Sequence, residues 1–169
     1  MASSDTLTIF TPLHNQPPAS SAATIDLRNQ HPVLDFDAAA DEAAIFGSIL
    51  PRNFAGGGIT VRIHWSAATS TVGTVRWEGA FESHTEDTDD LDVNSFATTV
   101  ATTNIPSSVS GQIKYSSLAF SSGAAIDSLA VGESLRFRLI RNAGTTGAGS
   151  SNDTMVGDAE VHRIELRET

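Results

Sequence analysis

The chain has 169 residues, 40% of them hydrophobic and only 18% charged, which suits one β-rich domain with an arm or a long loop and argues against a helical bundle. Twenty acidic and ten basic residues give a formal charge of −10, so the surface repels nucleic acid and anionic membranes. The absence of cysteine excludes disulfides, thiolate zinc sites and a cysteine nucleophile. Met1–Asp5 has no basic region and no apolar run of a signal peptide, and no stretch reaches the length of a membrane span, so a soluble protein without an ordinary export signal is expected.

In chain order, residues 1–31 read as an extended N-terminal arm. Thr6–Phe10 has weak strand character, Pro12 and Pro17-Pro18 interrupt it, and Ala23–Arg28 is the next possible strand. The apolar arm residues Leu7, Ile9, Phe10 and Leu13 need burial somewhere, which makes them the candidate partner-binding residues. The globular body is expected over 32–169. Pro32–Asp37 reads as its first strand, and Asp41–Phe46 as one or two helical turns with a carboxylate near the amino end.

The strongest signal lies between Leu50 and His84. Ile59, Val61, Ile63 and Trp65 alternate with Thr60, Arg62 and His64, and Val75, Trp77 and Phe81 alternate with Arg76, Glu78 and Glu82. Joined by the small polar loop Ser66–Val72, the two halves predict a β-hairpin with both tryptophans inward. Ser95–Thr102 is either a weak strand or a short helix. Gln112–Phe120 is a strand whose apolar face switches midway, which predicts a bulge or a strand that turns from one sheet to another. Ala124–Leu129 suggests a helical turn, Leu135–Asn142 and Gly157–Arg167 are strands, and the small-residue loop Ala143–Asn152 is expected to be exposed. Seven or eight strands with few helices predict an all-β antiparallel sandwich or barrel.

Candidate chemistry is sparse. In the acidic loop Glu82–Asp92, Asp87, Asp89 and Asp92 have the oxygen chemistry of a Ca²⁺ site, but their spacing misses the EF-hand pattern, and a solvated loop explains them. His14, His31, His64, His84 and His162 are scattered without a metal-ligand spacing. No nucleophile elbow or phosphate loop is present, and Gly56-Gly57-Gly58 leads into a strand, so neither a catalytic site, a metal nor a cofactor is expected. Trp65, Trp77 and Tyr115 are possible sugar-stacking platforms, but both tryptophans fall on the apolar phase of their strands and read as core.

Three segments resemble a family of jelly-roll structural domains of tailed bacteriophages. They are Asp35–Val61 with its Leu50-Pro51-Arg52-Asn53-Phe54 run, Gly73–Glu82, and Val131–Arg141 closed by Gly157–Val161. The resemblance implies a jelly-roll β-sandwich and a non-enzymatic virion protein on the capsid surface. That protein would be a cement or decoration protein, a homotrimer bound to the major capsid protein, with no direct nucleic-acid or membrane contact. A tail-fibre or receptor- and glycan-binding module is the alternative. By this reading the interaction surface lies in residues 1–31 and then in the loops 83–95 and 143–156.

Overall fold

In a computed structural model that describes residues 5–69, 71–144 and 152–169, the chain is a sandwich of two antiparallel sheets with almost no helix. Ten strands occur among the described residues: β1 Thr6–Phe10, β2 Thr24–Arg28, β3 His31–Phe36, β4 Glu42–Ile49, β5 Ile59–Ala67, β6 Val75–His84, β7 Val100–Asn104, β8 Lys114–Phe120, β9 Ser134–Arg141 and β10 Ala159–Glu168. Six form one sheet in the order β2-β3-β10-β5-β8, with β1 also paired to β10; four form the other, in the order β4-β9-β6-β7. The only helical pieces among the described residues are single 3₁₀ turns at Pro12–His14 and Gly123–Ile126. The second falls where a helical turn was expected.

The predicted hairpin is corrected. Its two halves are both strands, but β5 pairs with β10 and β8 whereas β6 pairs with β9 and β7. The chain therefore crosses from one sheet to the other between them, as a jelly roll requires. Their apolar phases face each other through the core. Trp65 and Trp77 are both fully buried and meet edge to face with ring centroids 5.8 Å apart, and Phe36 closes on Trp77 at 5.2 Å. Alternation reveals which side of a strand is buried; it does not reveal which strand lies beside it.

The helical turns expected at 41–46 are instead the start of β4, paired with β9 from Glu42↔Arg141 to Ile49↔Ser134. Ala44 and Phe46 point inward, and a short apolar run of this kind is ambiguous between the two periods. The bulge expected in β8 is absent: its register against β5 is unbroken from Lys114 to Phe120. Ser116 simply occupies an inward position and accepts the indole N–H of Trp65 at 2.8 Å, so a polar residue interrupts the apolar phase without a change of face.

Residues 6–28 do not stand apart from the sheets. β1 pairs along β10, β2 pairs along β3, and between them Gln16 and Ala23 donate backbone N–H groups to Ile45 and Ala43 at the edge of β4. Phe10 is buried and stacks on Phe46, with centroids 5.2 Å apart and rings 24° from parallel. At the other end of β9, Arg141 is wholly buried. Its five N–H groups go to both carboxylate oxygens of Asp153 and to the carbonyls of Phe36, Met155 and Gly157, at 2.8–3.0 Å. It ties the segment entering β10 to the end of β3.

Candidate functional site on the six-stranded sheet

The two outward sheet faces differ. On the four-stranded sheet the loop after β6 folds back: Phe96 lies over the guanidinium groups of Arg136 and Arg138, 5.2 and 4.5 Å from its centroid, and Arg136 pairs at 2.8 Å with the buried Glu82. On the six-stranded sheet, outward side chains of neighbouring strands line up in rows, because directly opposed residues of an antiparallel pair share a face. One row runs Tyr115 (β8), His64 (β5), Arg163 (β10). The next runs Ser117, Arg62, Glu165, Ile9, and on the other side of the first lies Ser66, Glu160, Asp35, Thr24.

Tyr115 is the centre of the open part. It is 51% exposed, His64 meets it edge-on with centroids 4.5 Å apart, and the Arg62 guanidinium sits 4.6 Å from the ring centroid. Arg62 over the ring and His64 at its edge fix Tyr115 while half of the residue stays exposed, an aromatic platform flanked by hydrogen-bonding groups. Burial first, and then the charge of Arg62, hold His64 below the usual imidazole range, against a smaller pull upward from Glu165. At neutral pH His64 is therefore an uncharged donor and acceptor.

Beside this row opens a cavity of about 450 Å³, lined by Arg28, Asn29, His31, Pro32, Gly111, Ile113, His162 and Arg163. The sequence builds it from the tight β2–β3 turn, where Asn29 and Gln30 take positive φ of 45° and 66°, and from a register shift in β10 between Val161 and Arg163. Gly111, at φ 79°, lies flat against the Arg28 guanidinium, where a Cβ would come within 2.7 Å of Nη2. Arg28 in turn donates to Glu160 at 2.6 Å, to the Ala68 carbonyl at 3.2 Å and to Ser110 Oγ at 3.1 Å.

Beneath the cavity, Ser66 Oγ lies 2.8 Å from His162 Nε2 and donates to Glu160 at 3.0 Å. The set has the residue types of a hydrolytic triad but not its wiring. Ser66 is fully buried, its single proton is given to a carboxylate already held by Arg28, and Glu160 backs the serine instead of the imidazole. Burial holds the His162 imidazole down, partly offset by Glu160. Next to Glu160 in the row, Asp35 has a buried Oδ1 without a hydrogen-bond partner. Burial, with the nearby carboxylates of Asp158 and Glu160, raises its pKa to about 6.

The other residues singled out from sequence are placed as follows. Trp65 and Trp77 are core. In the acidic loop the carboxylates cap their own turn, Asp89 accepting from Thr85 N at 2.7 Å and Asp90 from Asp92 N at 3.0 Å. No group of three or more His, Asp or Glu among the described residues is placed to hold a metal ion. His14 accepts the Thr11 N–H at 3.0 Å, and His84 is 3.8 Å from Glu82. The four apolar residues of 1–31 are split: Phe10 is buried and Leu7 packs against the core, whereas Ile9 and Leu13 are 52% and 69% exposed. Of the loop 143–156, residues 145–151 lie outside the described residues.

The sequence matches no family model and no curated protein. Its fold does match solved structures. The CBM22-2 xylan-binding domain of Paenibacillus barcinonensis Xyn10C superposes with a TM-score of 0.53 over 92% of each chain, at 14% identity. The likeness is one of fold. The mosquito-larvicidal Cry4Aa toxin of Bacillus thuringiensis (TM-score 0.52, 9% identity) is covered over 23% of its length by 96% of this chain. The exo-β-1,3-galactanase of Phanerochaete chrysosporium, solved with galactose (TM-score 0.50, 12% identity), is covered over 30% of its length by 98% of this chain. The sandwich thus recurs as a xylan-binding domain by itself and as a portion of much larger proteins.

Sequence reasoning found the outward phase that carries Arg62 and His64 and considered Tyr115, but not the cavity. Arg28 and His31 flank one turn but lie far in sequence from Arg163, and together they carry no motif; only the β2–β3 turn and the β10 register shift bring them together.

Proposed function

We propose that this chain is a non-catalytic saccharide-binding module whose site is the open face of the six-stranded sheet around Tyr115. The observation that carries the proposal is the row Tyr115–His64–Arg163. It sets a half-exposed aromatic ring, an uncharged imidazole and an exposed guanidinium side by side on a rigid sheet, next to a cavity. A pyranose offers an apolar face to stack on a ring and hydroxyls that both donate and accept, and these side chains answer both needs. The likeness in fold to a xylan-binding domain over 92% of both chains supports the same reading. The buried, misrouted Ser66–His162 pair supports the absence of catalysis.

A capsid-bridging role through Leu7, Ile9, Phe10 and Leu13 would have to work mainly through Ile9 and Leu13, because Phe10 and Leu7 are packed against this chain's own core. The glycan reading uses side chains that are already exposed on the sheet.

The test is a glycan array probed with the full chain and with Tyr115→Ala. Covering about half of the tyrosine surface is worth roughly 1–2 kcal/mol at about 25 cal/mol per Å², so Tyr115→Ala should weaken binding about five- to thirtyfold. The variant should unfold at the same temperature as the parent. Binding that survives Tyr115→Ala unchanged, or no binding to any glycan class, refutes the proposal.

A further inference from the structure

We infer that this saccharide site selects acidic sugars, with the cavity beside Tyr115 taking the carboxylate of a uronic acid. The inference rests on the function proposed above and adds the charge class of the ligand. The chain has twice as many acidic as basic residues, yet none of the described residues lining this cavity is Asp or Glu, while two are arginines and two are histidines. Glu160, which Arg28 and Ser66 hold by hydrogen bonds, is not among the lining residues.

The two arginines play different parts. Arg28 is fixed, its guanidinium held by Glu160, Ser110 and backbone carbonyls and flattened against Gly111. Arg163 is exposed, donates to the carbonyl of its neighbour His162 at 3.2 Å, and has no carboxylate partner within ion-pair distance among the described residues. A planar guanidinium with unclaimed donors on the rim of a cavity is suited to a carboxylate, which it can hold through two parallel hydrogen bonds. The side chains also share one register. Arg163 lies two strand spacings from Tyr115 in the same row, roughly 10 Å, so a sugar stacked on the ring can place a carboxylate, on itself or on the next residue, at the cavity. His162, whose Nε2 is taken up by Ser66, leaves Nδ1 to accept a sugar hydroxyl at the same wall.

The test uses the full chain, with oligogalacturonate and its carboxyl-reduced, uncharged counterpart printed beside other uronic, sulfated and neutral glycans, and follows hits by calorimetry. The expected result is preferential binding of carboxylate-bearing glycans. Arg163→Gln, at an exposed position where folding is not at stake, should weaken the best acidic ligand at least tenfold and abolish most of its preference over the uncharged counterpart. Raising the salt concentration should weaken only the acidic one. Equal or better binding of the uncharged counterparts overturns the inference and leaves the saccharide reading intact. Sulfated but not carboxylated hits overturn the carboxylate assignment. Silence across all glycans refutes both.

Discussion

Arg141 offers the sharpest test of how this sandwich is held together. It ends the inward phase of β9 after Leu135, Phe137 and Leu139, where a hydrophobic residue would be expected, and it has no solvent exposure. All five of its donors are used, two on Asp153, whose side chain is 2% exposed, and three on the backbone of residues 36, 155 and 157. Arg141→Met removes the cation and leaves a buried carboxylate and three buried carbonyls without those donors. Breaking a buried ion pair from one side costs about 3–5 kcal/mol, a large share of the roughly 5–15 kcal/mol that keeps a domain folded. Arg141→Lys keeps the charge but has three donors for five acceptor positions. It should lose roughly 2–4 kcal/mol, since each stranded buried acceptor costs about 1–3 kcal/mol.

The double variant Arg141→Met with Asp153→Leu decides the mechanism. If the penalty is an unpaired buried charge, removing the partner recovers part of the loss, and the double variant is more stable than Arg141→Met alone. Urea unfolding followed by the fluorescence of the buried Trp65 and Trp77 measures all three. A cost below about 1 kcal/mol for Arg141→Met would mean that water reaches this site and that the burial argued here is wrong. A double variant no better than the single would instead assign the loss to backbone groups: the three carbonyls, and the Arg76 N–H that Asp153 accepts at 3.0 Å.

Three further outcomes are expected. Ser116→Ala removes the acceptor of the Trp65 N–H inside the core and should cost about 1–3 kcal/mol in urea unfolding; a neutral result would deny that this bond matters. Asp35 has a folded-state pKa of about 6 against an ordinary 3.8, so its favourable contribution is complete below about 3.8 and is lost as the pH rises through about 6. Asp35→Asn should therefore raise the melting temperature at pH 8 more than at pH 4, and an equal shift at both would contradict the assignment. Phe10→Ala should cost about 3–5 kcal/mol whereas Ile9→Ser should stay within about 0.5 kcal/mol, which thermal unfolding can separate; equal effects would mean that the N-terminal segment is not built into the core as described.

The fold class was legible because period-2 alternation survives in β5, β6 and β9, where residue after residue obeys it. Partnership between strands was not legible. β5 and β6 are adjacent in sequence and similar in pattern, yet they pair with other strands and not with each other, as in Trp65↔Lys114, Trp65↔Val161 and Trp77↔Arg141. The residues that misled are those whose inward position has a polar occupant. Ser116 mimicked a bulge because its service to Trp65 is a tertiary fact, and Arg141 reads as surface until Asp153 is seen beside it. In the N-terminal segment, prolines and small residues suggested an arm. They instead mark the turns between β1 and β2, where the chain passes along the edge of β4 through single backbone bonds that leave no periodic trace.

The charge of the chain bears on the site in a way that its total does not convey. Outward positions of the six-stranded sheet carry four arginines (Arg28, Arg62, Arg163, Arg167) and four carboxylates (Asp26, Asp35, Glu160, Glu165), so this face is formally balanced and the whole −10 belongs to other parts of the chain. Packed sheets lie about 10 Å apart, and the screening length at physiological ionic strength is about 8 Å, so charges beyond the four-stranded sheet reach the cavity only weakly. What an anionic sugar meets there is set by Arg163 and Arg28 within a few ångströms. Lowering the salt extends the reach of the distant carboxylates and of these arginines together, and the nearer charges keep the advantage because interaction energy falls with distance. An acidic protein with an acidic ligand is thus no contradiction, provided that the cations share a face and the surplus carboxylates do not.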